Sequence, residues 1–200
     1  MLISELISIF HSRMKAQEII LLLENAKQIV RQGFYKQELP AIQTFCQQNS
    51  LPLVQSKFKI LLDDKHNFTN KGLRIPETDK REGLYFIYIS KDERLAYLAS
   101  YYELINNYQE LGRLLGYPPC CIRFFINSFH ENNPNPQHKP TNPWTNLTQR
   151  EDDFCLLSHF PCSSNCSESV QQAQHYFNVI KDNHSDYAQK ILQTLSKDIN

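Results

Sequence analysis

Four of the six cysteines in this chain fall into two pairs, and each pair follows proline. Cys120 and Cys121 stand side by side in "LGYPPCCIRFF" (115–125), and Cys162 and Cys166 in "HFPCSSNC" (159–166). Proline suits the first turn of a helix, where its missing N–H costs no hydrogen bond, so both pairs read as helix starts. Free N–H groups and the positive end of the helix dipole favour thiolate there. The thiolate is both the nucleophile and the metal ligand, so two such segments constrain the fold if they converge on one centre.

The rest of the composition narrows what that centre is for. With 200 residues the chain can bury a core without covalent staples. Hydrophobic residues make up 41% and aromatics 12%, a globular balance in one domain or one domain with a helical extension. Lys+Arg and Asp+Glu are both 21, so the net charge is zero and gives no indication of nucleic-acid binding. The longest apolar run, "IILLL" at 19–23, is far short of a membrane span. The opening "MLISELISIFHSRMK" has Glu5 early and no basic segment before its apolar stretch, unlike a signal peptide. A cytoplasmic, reducing location is the expectation, and a disulfide framework is not.

Along the chain, residues 2–14 place Leu2, Leu6, Ile9 and Phe10 on one helical face. Residues 17–32 continue the period through Leu22, Ala26, Ile29 and Val30, with Gly33 as the stop. A third helix is expected at about 39–49, giving an N-terminal helical region over 1–50 and an α+β cysteine-motif domain over 51–200, together one unit. "SKFKILLDD" (56–64) reads as a strand, 65–82 as a loop or ragged hairpin, and "GLYFIYIS" (83–90) as the clearest strand, being filled with aromatic and β-branched residues. Ser90 is expected to cap a helix that opens on Asp92 and Glu93 and buries Leu95, Leu98, Tyr102 and Ile105. Helices at 107–116, from the Pro118–Pro119 motif, from about 164, and at 184–198 complete the chain, with a proline- and asparagine-rich loop at 131–146. The fold class is α+β: predominantly helical, with a small sheet of two or three strands.

Cys162 and Cys166 have three residues between them and can chelate one metal or cluster from a turn entering a helix. Successive helical side chains point about 100° apart, so only one of Cys120 and Cys121 is expected to bind metal directly, the other packing or acting as a separate thiol. The metal-ligand set is drawn from Cys120, Cys121, Cys162 and Cys166, with Cys121 or His159 as the fourth member. Zinc would need four nitrogen or sulfur donors; three good thiolates and one doubtful partner suit an open iron–sulfur cluster, which is the favoured cofactor, with zinc or no cofactor as alternatives. Cys46 and Cys155 lie in apolar settings and read as core.

Around the motif, His159 could be a ligand or proton shuttle, or a partly buried histidine bonded to a carbonyl. Arg113 and Arg123 flank it and could hold an anionic substrate or a thiolate-rich cluster, or serve the surface; Tyr117 could donate to a sulfur or substrate, or pack. Phe124, Phe125 and Phe129 fit the buried face of the motif helix. Trp144 reads as an anchoring aromatic, the alternative being a lid. Asp152 and Asp153 are adjacent and make no acid–base pair. No glycine-rich phosphate loop, G-x-S-x-G or H-E-x-x-H occurs.

Residues 88–125 resemble the signature of a family of unknown function from archaea and bacteria, marked by leucine-glycine-tyrosine-proline, one variable residue and two cysteines. Leu115, Gly116, Tyr117, Pro118, Cys120 and Cys121 match it. A downstream histidine-x-proline-cysteine-serine-x-x-cysteine segment is matched by His159, Pro161, Cys162, Ser163 and Cys166. The resemblance spans roughly the second half of the chain. It implies that the two cysteine segments belong together and implies no reaction.

Three functions follow as expectations. In the first, a metal-loaded thiolate centre does redox or sulfur-transfer chemistry on a small molecule, peptide or RNA base, with Cys120, Cys121 and His159 as reacting groups. In the second, a metal-free thiol–disulfide protein uses the same cysteines. In the third, zinc pins a non-catalytic interaction module.

Overall fold

In the computed structural model, residues 2–62, 72–130, 132–150, 152–197 and 199 are described. They separate into two compact units, one of residues 27–116 and one of residues 1–26 with 117–200. The fold class is α+β and mostly helical, as the sequence implies.

The 27–116 unit is organised by β5 (Tyr85–Ser90), the strand with the clearest sequence signal. Ile87, Tyr88 and Ile89 are completely buried in it, as expected of a central strand with both neighbours in place. β1 (Ile29–Phe34) and β2 (Leu53–Gln55) pair antiparallel on either side of β5, with Ile29 opposite Ser90 and Leu53 opposite Ile89. β3 (Phe58–Leu62) and β4 (Gly72–Pro76) form a second antiparallel pair, Phe58 opposite Pro76. The expected strand at 56–64 is therefore present as β3, and β4 supplies the hairpin arm. The part of the 65–82 reading that falls on 65–71, with Asp63 and Asp64, lies outside the described residues.

The expected helix over 17–32 is corrected. It ends at Leu23, Asn25 turns the chain with a left-handed φ of 60°, and Ile29–Phe34 is strand β1. Ile29 and Val30 fall on the 3.6-residue period of the preceding helix, but they are β-branched and fit a pleated, half-buried surface at least as well. Gly33 is thus a strand residue, its Cβ direction 3.6 Å from the Phe86 ring, and stops no helix. α3 (Leu39–Gln48) buries Leu39, Ile42, Phe45 and Cys46 as its spacing implies. α4 (Glu93–Leu104) is capped by Asp92, whose side chain accepts from Arg94 N–H; Ser90 Oγ instead accepts from Asp92 N–H. The buried face of α4 is Ala96, Ala99 and Glu103. Glu103 takes the Arg31 Nε at 2.6 Å and the Tyr88 hydroxyl at 2.6 Å, so a carboxylate rather than a leucine fills the space over β5. α5 (Tyr108–Leu114) closes this unit.

The other unit is helical. α1 (Ile3–Phe10) and α2 (Arg13–Leu23) belong to it, with α6 (Pro119–Ser128), α7 (Ser167–Asn183) and α8 (Ser185–Leu195). α7 and α8 contribute Ala173, Tyr176, Phe177, Ile180, Ala188, Ile191 and Leu195 to one core, which Leu21 of α2 and Leu157 and Phe160 of the 147–160 segment complete. Ser12 caps α2, its hydroxyl accepting from the Lys15 N–H at 3.1 Å, and Asp153 supports the cap: its carboxylate accepts from the Ser12 hydroxyl at 2.7 Å and from the backbone N–H of Arg13. That gives Asp153 a structural task. Trp144 packs edge-on against Phe177, with ring centres 5.5 Å apart, and anchors the proline-rich loop. Among the described residues no helix is long and apolar enough to cross a membrane.

Candidate metal centre

α6 and the segment entering α7 bring four sulfurs together. Pro118 precedes α6 in an extended conformation and Pro119 is its first helical residue, which puts Cys120 and Cys121 in the first turn. Cys166 is the residue from which α7 starts. The Sγ atoms of Cys120, Cys121, Cys162 and Cys166 all lie within 4.8 Å of one another. Cys166 Sγ is 3.6 Å from both Cys120 Sγ and Cys121 Sγ, which are themselves 3.8 Å apart. Four soft donors at this mutual distance are close enough to bind a metal ion.

The neighbours Cys120 and Cys121 both place a sulfur in the group, where the sequence led one of them to be expected as a direct ligand. The 100° rotation between successive residues separates side chains around a helix. Every Cα–Cβ bond also tilts toward the N-terminus, so in the first turn two successive side chains can lean over the helix end and meet beyond it.

The surroundings of the four sulfurs differ. Cys121 and Cys166 are buried, whereas Cys120 and Cys162 are half-exposed. Cys121 Sγ lies 3.2 Å from the Ser169 hydroxyl and 3.3 Å from the Cys162 backbone N–H, which donates to it. Burial pushes the Cys121 thiol well above its ordinary range, against the pull of those two partners. Burial and the thiols of Cys166 and Cys120 push Cys162 up to about 11. Burial also opposes ionisation of Cys166, but hydrogen bonds from the Ser169 hydroxyl and N–H, with the Cys120 and Cys121 thiols, outweigh it and bring Cys166 down to about 7.

The loop that presents Cys162 and Cys166 is held from behind. Asn142 Nδ2 donates to the Ser164 carbonyl at 2.7 Å and the Thr145 hydroxyl donates to the same oxygen at 2.5 Å. His159 is buried, and its Nε2 is 2.9 Å from the Ser169 hydroxyl, the group that touches Cys121. His159 is therefore placed to orient Ser169, one residue removed from sulfur. The Tyr117 ring lies tilted against the His159 ring, with centres 5.1 Å apart.

Of the two arginines singled out from the sequence, Arg113 is exposed on α5 and pairs with Glu110 at 2.6 Å; Arg123 is exposed on α6. Cys46 and Cys155 are buried core thiols, as expected. Ser169 and Glu168 escaped the sequence reading. The signal was available: both fall in the first turn of a helix that starts from a cysteine, and Ser169 stands three residues after Cys166, where a side chain and an N–H return to the helix start.

The class these observations define is an α+β, mostly helical protein with a four-cysteine site. Residues 92–195 match the model of the family described as "protein of unknown function (DUF483)", and the chain belongs to that family. No curated protein and no solved structure matches the chain.

Proposed function

We propose that the chain is a metal-binding protein whose four cysteines hold one tetrahedral ion, zinc in the first instance. The observation that carries this is the sulfur spacing. Four thiolates at Zn–S bonds of about 2.3 Å stand at the corners of a tetrahedron with edges of about 3.8 Å. The contacts of 3.6, 3.6 and 3.8 Å among Cys120, Cys121 and Cys166 fit those edges. In a cluster the thiolates bind different irons and point outward, so their sulfurs stand wider apart. On this reading a single ion takes the place of the iron–sulfur cluster favoured from the sequence. A mononuclear iron site with the same four donors shares this geometry.

On this reading Cys120, Cys121, Cys162 and Cys166 are the ligands. The ion joins the start of α6 to the start of α7, and its binding energy contributes to the folding of the helical unit. Tyr117 and His159 act behind the ligands, His159 through Ser169.

Purification in metal-free buffers followed by elemental and acid-labile sulfide analysis tests the proposal. The expected result is close to one zinc per chain with no sulfide. Stoichiometric sulfide with iron would restore the cluster, and a folded, metal-free protein that takes up no added zinc would end the metal reading. A metal-free dithiol is the second reading, favoured by the 3.6 Å approach of Cys166 to Cys120 and Cys121. It predicts a reversible disulfide between the two segments after exchange with an oxidised small-molecule disulfide, mapped by mass spectrometry.

A further inference from the structure

The four sulfurs face two environments, and the difference bears on reactivity. On the inner side, Cys121 and Cys166 are buried, and Cys121 is supplied with donors, the Ser169 hydroxyl and the Cys162 N–H. Ser169 is itself completely buried and steadied by His159. On the outer side, Cys120 and Cys162 are both half-exposed, and among the described residues no N–H or O–H group donates to the Cys120 sulfur, which the Glu168 contact sets apart from Cys162. The polar neighbour of Cys120 is a carboxylate: Glu168 Oε2 lies 3.9 Å from Cys120 Sγ.

We propose that in the metal-loaded protein Cys120 is the reactive thiolate of the centre, a nucleophile that takes a carbon group from an uncharged or cationic alkylating electrophile. The proposal rests on the metal reading above. Three physical arguments converge on it. Access comes first, because a buried thiolate cannot be approached along the line of an incoming carbon without disrupting a close-packed interior. Hydrogen bonding comes second. Lone-pair density on Cys121 is engaged by the Ser169 hydroxyl and the Cys162 N–H, so its attack on carbon carries the added cost of releasing those bonds.

The third argument is charge. Four thiolates overcompensate a divalent ion, and Glu168 adds another negative group beside Cys120. Alkylation turns Cys120 into an uncharged thioether and relieves that crowding. The step balances without redox chemistry. A lone pair on Cys120 Sγ forms the S–C bond, the bond from carbon to its leaving group breaks, and the leaving group departs with the electron pair. No proton moves, since the metal-bound sulfur carries none. The same field should disfavour anionic electrophiles.

The test uses the full chain, with its zinc content measured first, treated with limiting iodoacetamide or iodoacetate and mapped by mass spectrometry. Cys120 should be labelled by iodoacetamide at least about five-fold faster than any other cysteine, following thiolate character and exposure. The preference for neutral iodoacetamide over anionic iodoacetate should exceed that of free cysteine, and Glu168→Gln should narrow it without changing zinc content. Labelling of Cys162, Cys121 or Cys166 first or at an equal rate would overturn the proposal, as would a reagent preference that Glu168→Gln leaves untouched. Failure to bind zinc removes the metal reading and this inference with it; the other failures occur in zinc-loaded protein and strike this inference alone.

Discussion

The two units answer the problem of a buried polar group in different ways. In the 27–116 unit, a charge is buried and paired: Glu103 is accepted under α4 because Arg31 and Tyr88 satisfy it. In the helical unit, four thiols are gathered at two helix starts with partial exposure and only part of their bonding capacity used among protein groups. The first arrangement is complete as it stands. The second brings together more sulfur donors than packing needs, whereas Cys46, a thiol buried in α3, belongs to no such group among the described residues. Clustering, more than burial, separates a site from a core.

The sharpest break of this comparison comes from emptying or crippling the sulfur group. Chelation of the metal-loaded protein, or Cys166→Ser, should produce the largest loss of stability, because metal binding energy is folding energy. Amide hydrogen exchange should increase most at α6 and the start of α7; equal increases along β5 would contradict a local role. Next in size is the pairing in the other unit. Glu103→Ala leaves the buried Tyr88 hydroxyl and one face of Arg31 without their partner and should cost about 3 kcal/mol in urea unfolding, whether or not metal is present.

A smaller effect is expected behind the ligands. Ser169→Ala should weaken zinc binding by roughly 10–100-fold, the range for removing a hydrogen bond to a ligand, with Ser169→Thr recovering much of it. Competition with a chromophoric chelator measures this; unchanged affinity would reduce Ser169 to packing. The smallest effect is a pH dependence in α3. Burial raises the Cys46 thiol from about 9 to about 12, so the folded state holds that proton more tightly than the unfolded chain. Its contribution is fully present below about pH 9 and lost as pH rises toward 12. Urea midpoints for wild type and Cys46→Ala should therefore converge between pH 8.5 and about pH 11, and parallel curves would show that Cys46 titrates like an exposed thiol.

How much of this was legible in the sequence depends on the reach of the signal. β5 was legible because "YFIYI" leaves no helical reading, α3 and α6 because apolar spacing and a proline in the first turn agree, and α7 and α8 from their apolar spacing. β1 was not, since Ile29 and Val30 extend the period of α2 while the actual stop, Asn25 with its left-handed φ, is a weaker mark than glycine. β2, three residues long, carries no period at all. At the site, the pairing of the two cysteine segments was legible from their shared proline-led placement. The convergence of both Cys120 and Cys121 was not, because it depends on side chains leaning over a helix end rather than on rotation around it. Glu103 and Ser169 were hidden for a related reason: only tertiary neighbours give a buried glutamate or serine its meaning.

X-ray absorption at the metal edge of the purified protein tests the central claim most directly. Four sulfur scatterers at about 2.3 Å around a single zinc, with no second metal in the next shell, are what the proposed site predicts. A neighbouring metal atom at cluster distance, or a first shell dominated by nitrogen and oxygen, would contradict it.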